Sequence, residues 1–222
     1  RDLVRSRGLG DVYKRQACNI TDKGFRRVLN FIQPDIMEYD IEAEFIHEFI
    51  KNRSKGFAYQ PIIASGINAC SLHYNTNNSQ CKSGDLILMD VAAEYSNYKS
   101  DMTRTVPVNG KFTKRQLEIY NAVLNVKNKA TNILRPGISV NEYHKEVGKI
   151  MESELIRIKL IDKEDVKKQD PKNPIYKKYF MHGTSHHLGL DVHDVGNFYV
   201  NLSPGNVFTV EPGIYISEEN LG

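Results

Sequence analysis

The chain has 222 residues, 40% hydrophobic and 26% charged, with a formal net charge of +3, a balance that fits one large soluble domain, or a main domain with part of another. Residues 1–16 hold five basic and two acidic side chains, which accounts for the whole excess. The remainder has no clustered basic face, so nucleic acid is not an expected partner. No apolar run approaches the roughly 20 residues that cross a bilayer, and no segment has signal-peptide order, so no membrane association and a cytoplasmic location are expected.

In chain order, residues 1–16 lack helix or strand periodicity and an initiator methionine. They read as an extraneous, adapter-like or disordered segment, with a single main domain over 17–222. Helices are predicted over 22–33 and 41–52, the second with Ile41, Phe45 and Phe49 on one face behind Asp40 as a cap. Strands follow at 62–64, 86–94 and 98–108, separated by turn-rich stretches. Thr113 to Gln116 and Ser139 to Glu142 are capping boxes. The helix after the first carries an apolar stripe of Leu117, Tyr120, Val123 and Leu124, and the helix after the second buries Tyr143, Val147, Ile150 and Met151. A charged connection over 159–178 leads to strands at 207–210 and 214–216. The order of elements indicates an α+β fold rather than a doubly wound sheet. Three cysteines, Cys18, Cys70 and Cys81, lack zinc-type spacing and read as reduced, structural thiols.

The chemistry concentrates in three places. If Ser96-Asn97 is a two-residue hairpin tip, Tyr95 pairs with Tyr98 and Asp90 falls opposite Thr103. Asp101 is then the diagonal neighbour of Asp90, on the same face. Two like charges at the end of an apolar strand need a cation, and one or two metal ions would supply it. The alternative is a solvated hairpin, or pairing with Arg104 and Lys99. Four of the seven histidines lie within residues 182–193. His182 and His186 share a face in a helix or a strand, whereas His187 points elsewhere and reads as a surface or satisfied core residue. Glu211, after Val207-Phe208-Thr209-Val210 and before Pro212-Gly213, adds a carboxylate beside a turn. Oxygen donors with one nitrogen suit manganese or a similar divalent ion.

These residues, with Ile63-Ala64-Ser65-Gly66, Leu72-His73-Tyr74, Ser100-Asp101-Met102-Thr103-Arg104-Thr105, His182-Gly183-Thr184-Ser185-His186, Gly189-Leu190-Asp191-Val192-His193-Asp194 and Val210-Glu211-Pro212-Gly213, resemble the aminopeptidase P and prolidase group of metallopeptidases. The resemblance runs from about Ala17 to Gly222. It implies the pita-bread fold of creatinase and the aminopeptidases, here expected to be incomplete at the C-terminus because the family's further strand with a second bridging glutamate does not follow. It also implies two divalent metal ions, most simply Mn²⁺, with Asp90, Asp101, His186 and Glu211 as ligands and Asp101 bridging. His73, His182 and His193 would line the substrate site, with Glu211 as proton relay. The reaction implied is removal of the N-terminal residue from peptides with proline in second position, by a hydroxide bridging the two metals. The 222-residue piece is expected to be poorly active and the full-length protein a homo-oligomer. The alternatives are an Xaa-Pro dipeptidase and a metal-free binding module on the same fold.

Overall fold

The computed structural model describes residues 2–197 and 199–222, with side chains from residue 8 onward. It divides into two units, one gathering Arg1–Phe112, Leu188–Val195 and Ser217–Gly222, the other Thr113–His187 and Gly196–Ile216.

The first unit begins with helix α1 (Asp2–Leu29), followed by α2 (Glu38–Lys51). Residues 2–16, read from the sequence as lacking periodicity, are therefore helical. Their apolar signal is weak because little of this stretch is covered: Leu9 and Val12 stay exposed. Tyr13 packs tilted against Tyr95 and Tyr98. From Ala17 on the helix buries one stripe, Ala17, Ile20, Phe25 and Val28, against Ile41, Phe45 and Phe49 of α2. A methyl at Gly24 would stand 2.6 Å from the Phe49 ring, so this glycine sets how closely the two helices approach. The α2 cap is Met37, not Asp40. Asp40 sits at the third helical position and its carboxylate takes the Met37 N–H at 2.9 Å.

The strands are β1 (Gly56–Phe57), β2 (Ile62–Ser65), β3 (Leu86–Asp90), β4 (Ala93–Tyr95), β5 (Tyr98–Lys99) and β6 (Thr103–Pro107). They form two antiparallel sheets in the orders β1-β4-β5 and β2-β3-β6. Both expected pairs are present, Tyr95 with Tyr98 and Asp90 with Thr103. Ser96 and Asn97 turn the chain at φ of 50° and 68°, the doubly left-handed geometry of a tight hairpin. The long hairpin is nevertheless split between the sheets at residues 91–92 and 100–102. A buried hydroxyl pair occupies the split. Thr21 Oγ1 accepts the Ala93 N–H at 2.9 Å and lies 2.8 Å from Ser100 Oγ, which donates to the Ala93 carbonyl at 2.8 Å.

The second unit contains α3 (Lys114–Ile133), α4 (Val140–Arg157) and α5 (Lys163–Lys168). Both capping boxes form: Thr113 and Ser139 accept the N–H groups of Gln116 and Glu142. The buried face of α3 is Gln116, Ile119, Ala122, Val126 and Ala130, whereas Leu117, Tyr120 and Leu124 are exposed. The predicted stripe lay on the wrong face: the buried one mixes Ile119 and Val126 with two alanines, which mark a face less strongly than Leu117 and Leu124. That helix buries Tyr143, Val147, Met151 and Leu155, with Ile150 only half-buried. Glu154, 4% exposed, is shared by Asn125 and by Arg157, whose Nε donates at 2.8 Å. The strands expected at 207–210 and 214–216 do not form ladders. The segment is extended, with the amides of Thr209, Glu211 and Tyr215 donating to the carbonyls of His186, Thr184 and Tyr179 at 3.1, 2.9 and 2.9 Å. Among the described residues no helix is long and apolar enough to cross a membrane.

Candidate metal centre

In the first unit, β3 delivers Asp90 at its last residue, and Asp101 stands in the connection between β5 and β6. Antiparallel register puts them on one face, and one phenol joins them. Tyr59 donates a short hydrogen bond to Asp90 Oδ1 and lies 3.3 Å from Asp101 Oδ1. Burial, followed by the negative charges of the two aspartates, raises its pKa well above the ordinary tyrosine value. A phenol has a single proton, so it cannot fully satisfy two carboxylates. Tyr59 was missed from the sequence, where it sits in a turn-like Ala58-Tyr59-Gln60-Pro61 with no periodicity to mark it. His73 is exposed at φ of 57° in the turn after Cys70. His193 is exposed within the 188–195 stretch, where the Gly189 carbonyl accepts the Lys99 N–H of β5 at 2.9 Å.

In the second unit the extended segment sets Glu211 beside His186, with 3.0 Å between His186 Nε2 and Glu211 Oε1. Thr209 donates to the same Oε1 at 2.6 Å. Burial alone would raise the Glu211 pKa, but the hydrogen bonds from His186 and Thr209, with the charges of His186 and His182, bring it below 4.5. The other ring nitrogen of His186, Nδ1, lies 2.9 Å from the His187 carbonyl. A carbonyl can only accept, so Nδ1 carries the proton. A neutral ring then turns the Nε2 lone pair toward a carboxylate oxygen. Two acceptors at that distance repel, and either an imidazolium proton or a metal cation shared between them removes the conflict. The Nδ1–H to carbonyl bond is also the usual support of a metal-binding imidazole. The donor set therefore fits a divalent ion.

His182 Nε2 lies 2.9 Å from the Tyr215 hydroxyl, and its ring meets Phe180 edge-on at 4.9 Å between centroids. His187 packs its ring on Phe208, 4.1 Å between centroids, in agreement with a satisfied packing role. A further residue, His144 on α4, escaped the sequence reading. It lies beneath the histidine segment, where burial lowers its pKa against the opposing effects of the Ser185 backbone and Glu211. Its Nε2 is buried without a hydrogen-bond partner among the described residues. No pattern in Asn141-Glu142-Tyr143-His144 distinguished it from a solvated helix residue.

The sequence profile of metallopeptidase family M24 matches residues 13–222. A curated relative named Xaa-Pro aminopeptidase, from Escherichia coli strain K12, is 43% identical over 209 residues, covering 92% of this chain and 47% of the relative. Among solved structures, the Pseudomonas aeruginosa aminopeptidase PepP is 38% identical with a TM-score of 0.88, over 93% of this chain and 48% of that one. A zinc-substituted Escherichia coli aminopeptidase P in complex with product is 41% identical with a TM-score of 0.86, over 93% and 48% of the two chains. The chain spans about half the length of the curated relatives it matches. The α+β architecture is that of the aminopeptidase P pita-bread fold.

Proposed function

Since the chain belongs to metallopeptidase family M24, we propose that its protein is a metal-dependent aminopeptidase that releases the N-terminal residue from peptides with proline in second position. The observation that carries the metal reading is His186 Nε2 facing Glu211 Oε1 at 3.0 Å while Nδ1 is committed to a carbonyl. Support for the substrate comes from relatives named Xaa-Pro aminopeptidase.

Asp90, Asp101, His186 and Glu211 are the proposed ligands of two divalent ions, with Mn²⁺ the choice that hard oxygen donors and one imidazole suggest. When bound, such ions polarise the scissile carbonyl and acidify a water to a nucleophile at neutral pH. The chain's own groups do the rest. Glu211, whose carboxylate stays ionised well below neutrality, takes the proton of the attacking water at the oxygen not held by Thr209 and passes it to the leaving nitrogen. His182, its Nδ1–H held by the Gly183 carbonyl and its Nε2 facing the Tyr215 hydroxyl, lines the substrate site, and it donates to the developing oxyanion only by exchanging the Tyr215 contact as a protonated ring. His73 and His193, both exposed, contact the peptide. Proline lacks an N–H and fixes its backbone angle, so a site can select it by shape. A cytoplasmic location and homo-oligomeric assembly of the full-length protein belong to the same proposal.

The test, on the full-length protein, is Mn²⁺ titration by calorimetry together with release of the first residue from an Xaa-Pro tripeptide, with Asp101→Asn as control. Metal binding and cleavage that both fall at least tenfold in the control are expected. A folded protein that takes up no Mn²⁺ would overturn the reading in favour of a metal-free binding module. Turnover confined to Xaa-Pro dipeptides would replace the aminopeptidase with a dipeptidase.

A further inference from the structure

Glu38, the first residue of α2, is fully buried at 0% exposure. Its carboxylate is surrounded by neutral donors. Oε1 accepts from the Ser65 N–H at 2.7 Å, the Ser65 hydroxyl at 2.8 Å and Asn68 Nδ2 at 3.1 Å. Oε2 accepts from the Tyr74 hydroxyl at 2.8 Å and the Ser79 N–H at 2.9 Å. All five groups can aim a hydrogen at the two oxygens, the acceptor-only pattern that suits a carboxylate. Burying such a charge is costly unless every lone pair is used, and a cavity lined by five donors is a costly way merely to fill the core.

The five donors have a common feature: they flank a single turn. Ser65 and Asn68 precede it, Ser79 follows it, and Tyr74 is its last residue, whose N–H closes it onto the Ser71 carbonyl at 3.2 Å. His73 stands at the third position of that turn with φ of 57°. Glycine or asparagine is favoured at this place, and an exposed histidine there keeps the left-handed conformation only if the surroundings impose it. Asn77, itself at φ of 47° and 2% exposed, fixes the far side by accepting the Ile63 N–H at 3.0 Å and donating to the Pro61 carbonyl at 3.0 Å. Glu38 reaches the residue immediately after His73.

We propose that Glu38 is a positioning residue that, through the Tyr74 hydroxyl on one side and Ser65 and Asn68 on the other, fixes the backbone from which His73 is presented to substrate. The substrate contact of His73 rests on the reading given above; the fixing of His73 does not. Glu38 touches no reacting atom, and its influence passes entirely through the turn.

The experiment uses Tyr74→Phe, which removes one hydroxyl and no buried charge, and Glu38→Gln, which keeps the shape but turns one acceptor into a donor facing the Ser79 N–H. The primary readout is the long-range ¹H–¹⁵N NMR signal of the His73 ring, with His47 on the exposed face of α2 as internal reference. In Tyr74→Phe the His73 signals are expected to shift and broaden while those of His47 stay. Unchanged His73 signals would overturn the proposal, and Tyr74→Phe decides it even if Glu38→Gln fails to fold. Hydrolysis of the Xaa-Pro tripeptide by the full-length protein adds a cycle: Tyr74→Phe should lower kcat/KM about tenfold, and His73→Ala with Tyr74→Phe should be no slower than His73→Ala alone. Full multiplication of the two losses would mean that Tyr74 acts independently of His73, against the proposal. Displaced His73 signals with His73→Ala as active as the unaltered protein would uphold the positioning and overturn only the assignment of His73 to the substrate.

Discussion

Replacing Thr21 by valine tests the hydroxyl pair that sits where the hairpin divides between two sheets. The substitution keeps a β-branched side chain of nearly the same volume in α1, with similar helix propensity, so packing and helix formation change little. The hydroxyl itself is lost, and Thr21 is 0% exposed. Three contacts go with it: the Ala93 N–H at 2.9 Å, Ser100 Oγ at 2.8 Å and the donation to the Ala17 carbonyl at 3.0 Å. Depriving a buried amide of an acceptor costs about 1–3 kcal/mol, and the lost donation to the Ala17 carbonyl about 1 kcal/mol more. Ser100 keeps its bond to the Ala93 carbonyl, so the total comes to about 2–4 kcal/mol. With a urea m-value of about 2–3 kcal/mol/M, the midpoint followed by circular dichroism should fall by roughly 1 M. Thr21→Ser, which retains the hydroxyl and loses a methyl, should cost only about 1 kcal/mol. A valine variant within about 0.5 kcal/mol of the parent, or a serine variant weaker than valine, would refute the reasoning.

Tyr59→Phe removes the phenol joined to Asp90 and Asp101, and Mn²⁺ affinity measured by calorimetry should drop about tenfold, as expected for a group that orients ligands. Gly148→Ala places a methyl 2.6 Å from the Tyr176 hydroxyl oxygen. Thermal unfolding should show a loss of about 1–3 kcal/mol, part of it recovered by Tyr176→Phe. Cys81, buried and near the Glu38 charge, has its pKa raised to about 11 from 9.0. At pH 8 only about 0.1% is thiolate, so Cys81 should resist Ellman's reagent in the native protein and react once unfolded. Because the folded pKa is the higher, its contribution to stability is present below pH 9 and lost as pH rises toward 11.

Short-range chemistry was the most legible part of this chain. The two capping boxes and the Tyr95–Tyr98 hairpin register depend on residues three or four apart, and each formed as read. The register then placed Asp90 opposite Thr103, and with it one half of the candidate centre. What the sequence concealed depends on distant partners. The buried face of α3 carries Ile119, Ala122, Val126 and Ala130, and hydrophobicity favoured the bulkier Leu117 and Leu124 instead. The 207–216 segment has strand composition, yet its partner is the irregular stretch 179–186. Tyr59 and Glu38 lie in stretches with no chemical pattern, and only the folded chain shows that each meets groups from 27 to 42 residues away.

A carboxylate that needs five donors has no stable halfway state. If Ser65, Asn68, Tyr74 or Ser79 withdraws singly, the charge of Glu38 is left buried and underserved; water can repair this only by entering the core beside it. The 65–79 crossover should therefore open as one cooperative unit with the first turn of α2 rather than fray residue by residue. Amides across that span would then share a single opening free energy in native-state hydrogen exchange, even where His73 is exposed at the surface.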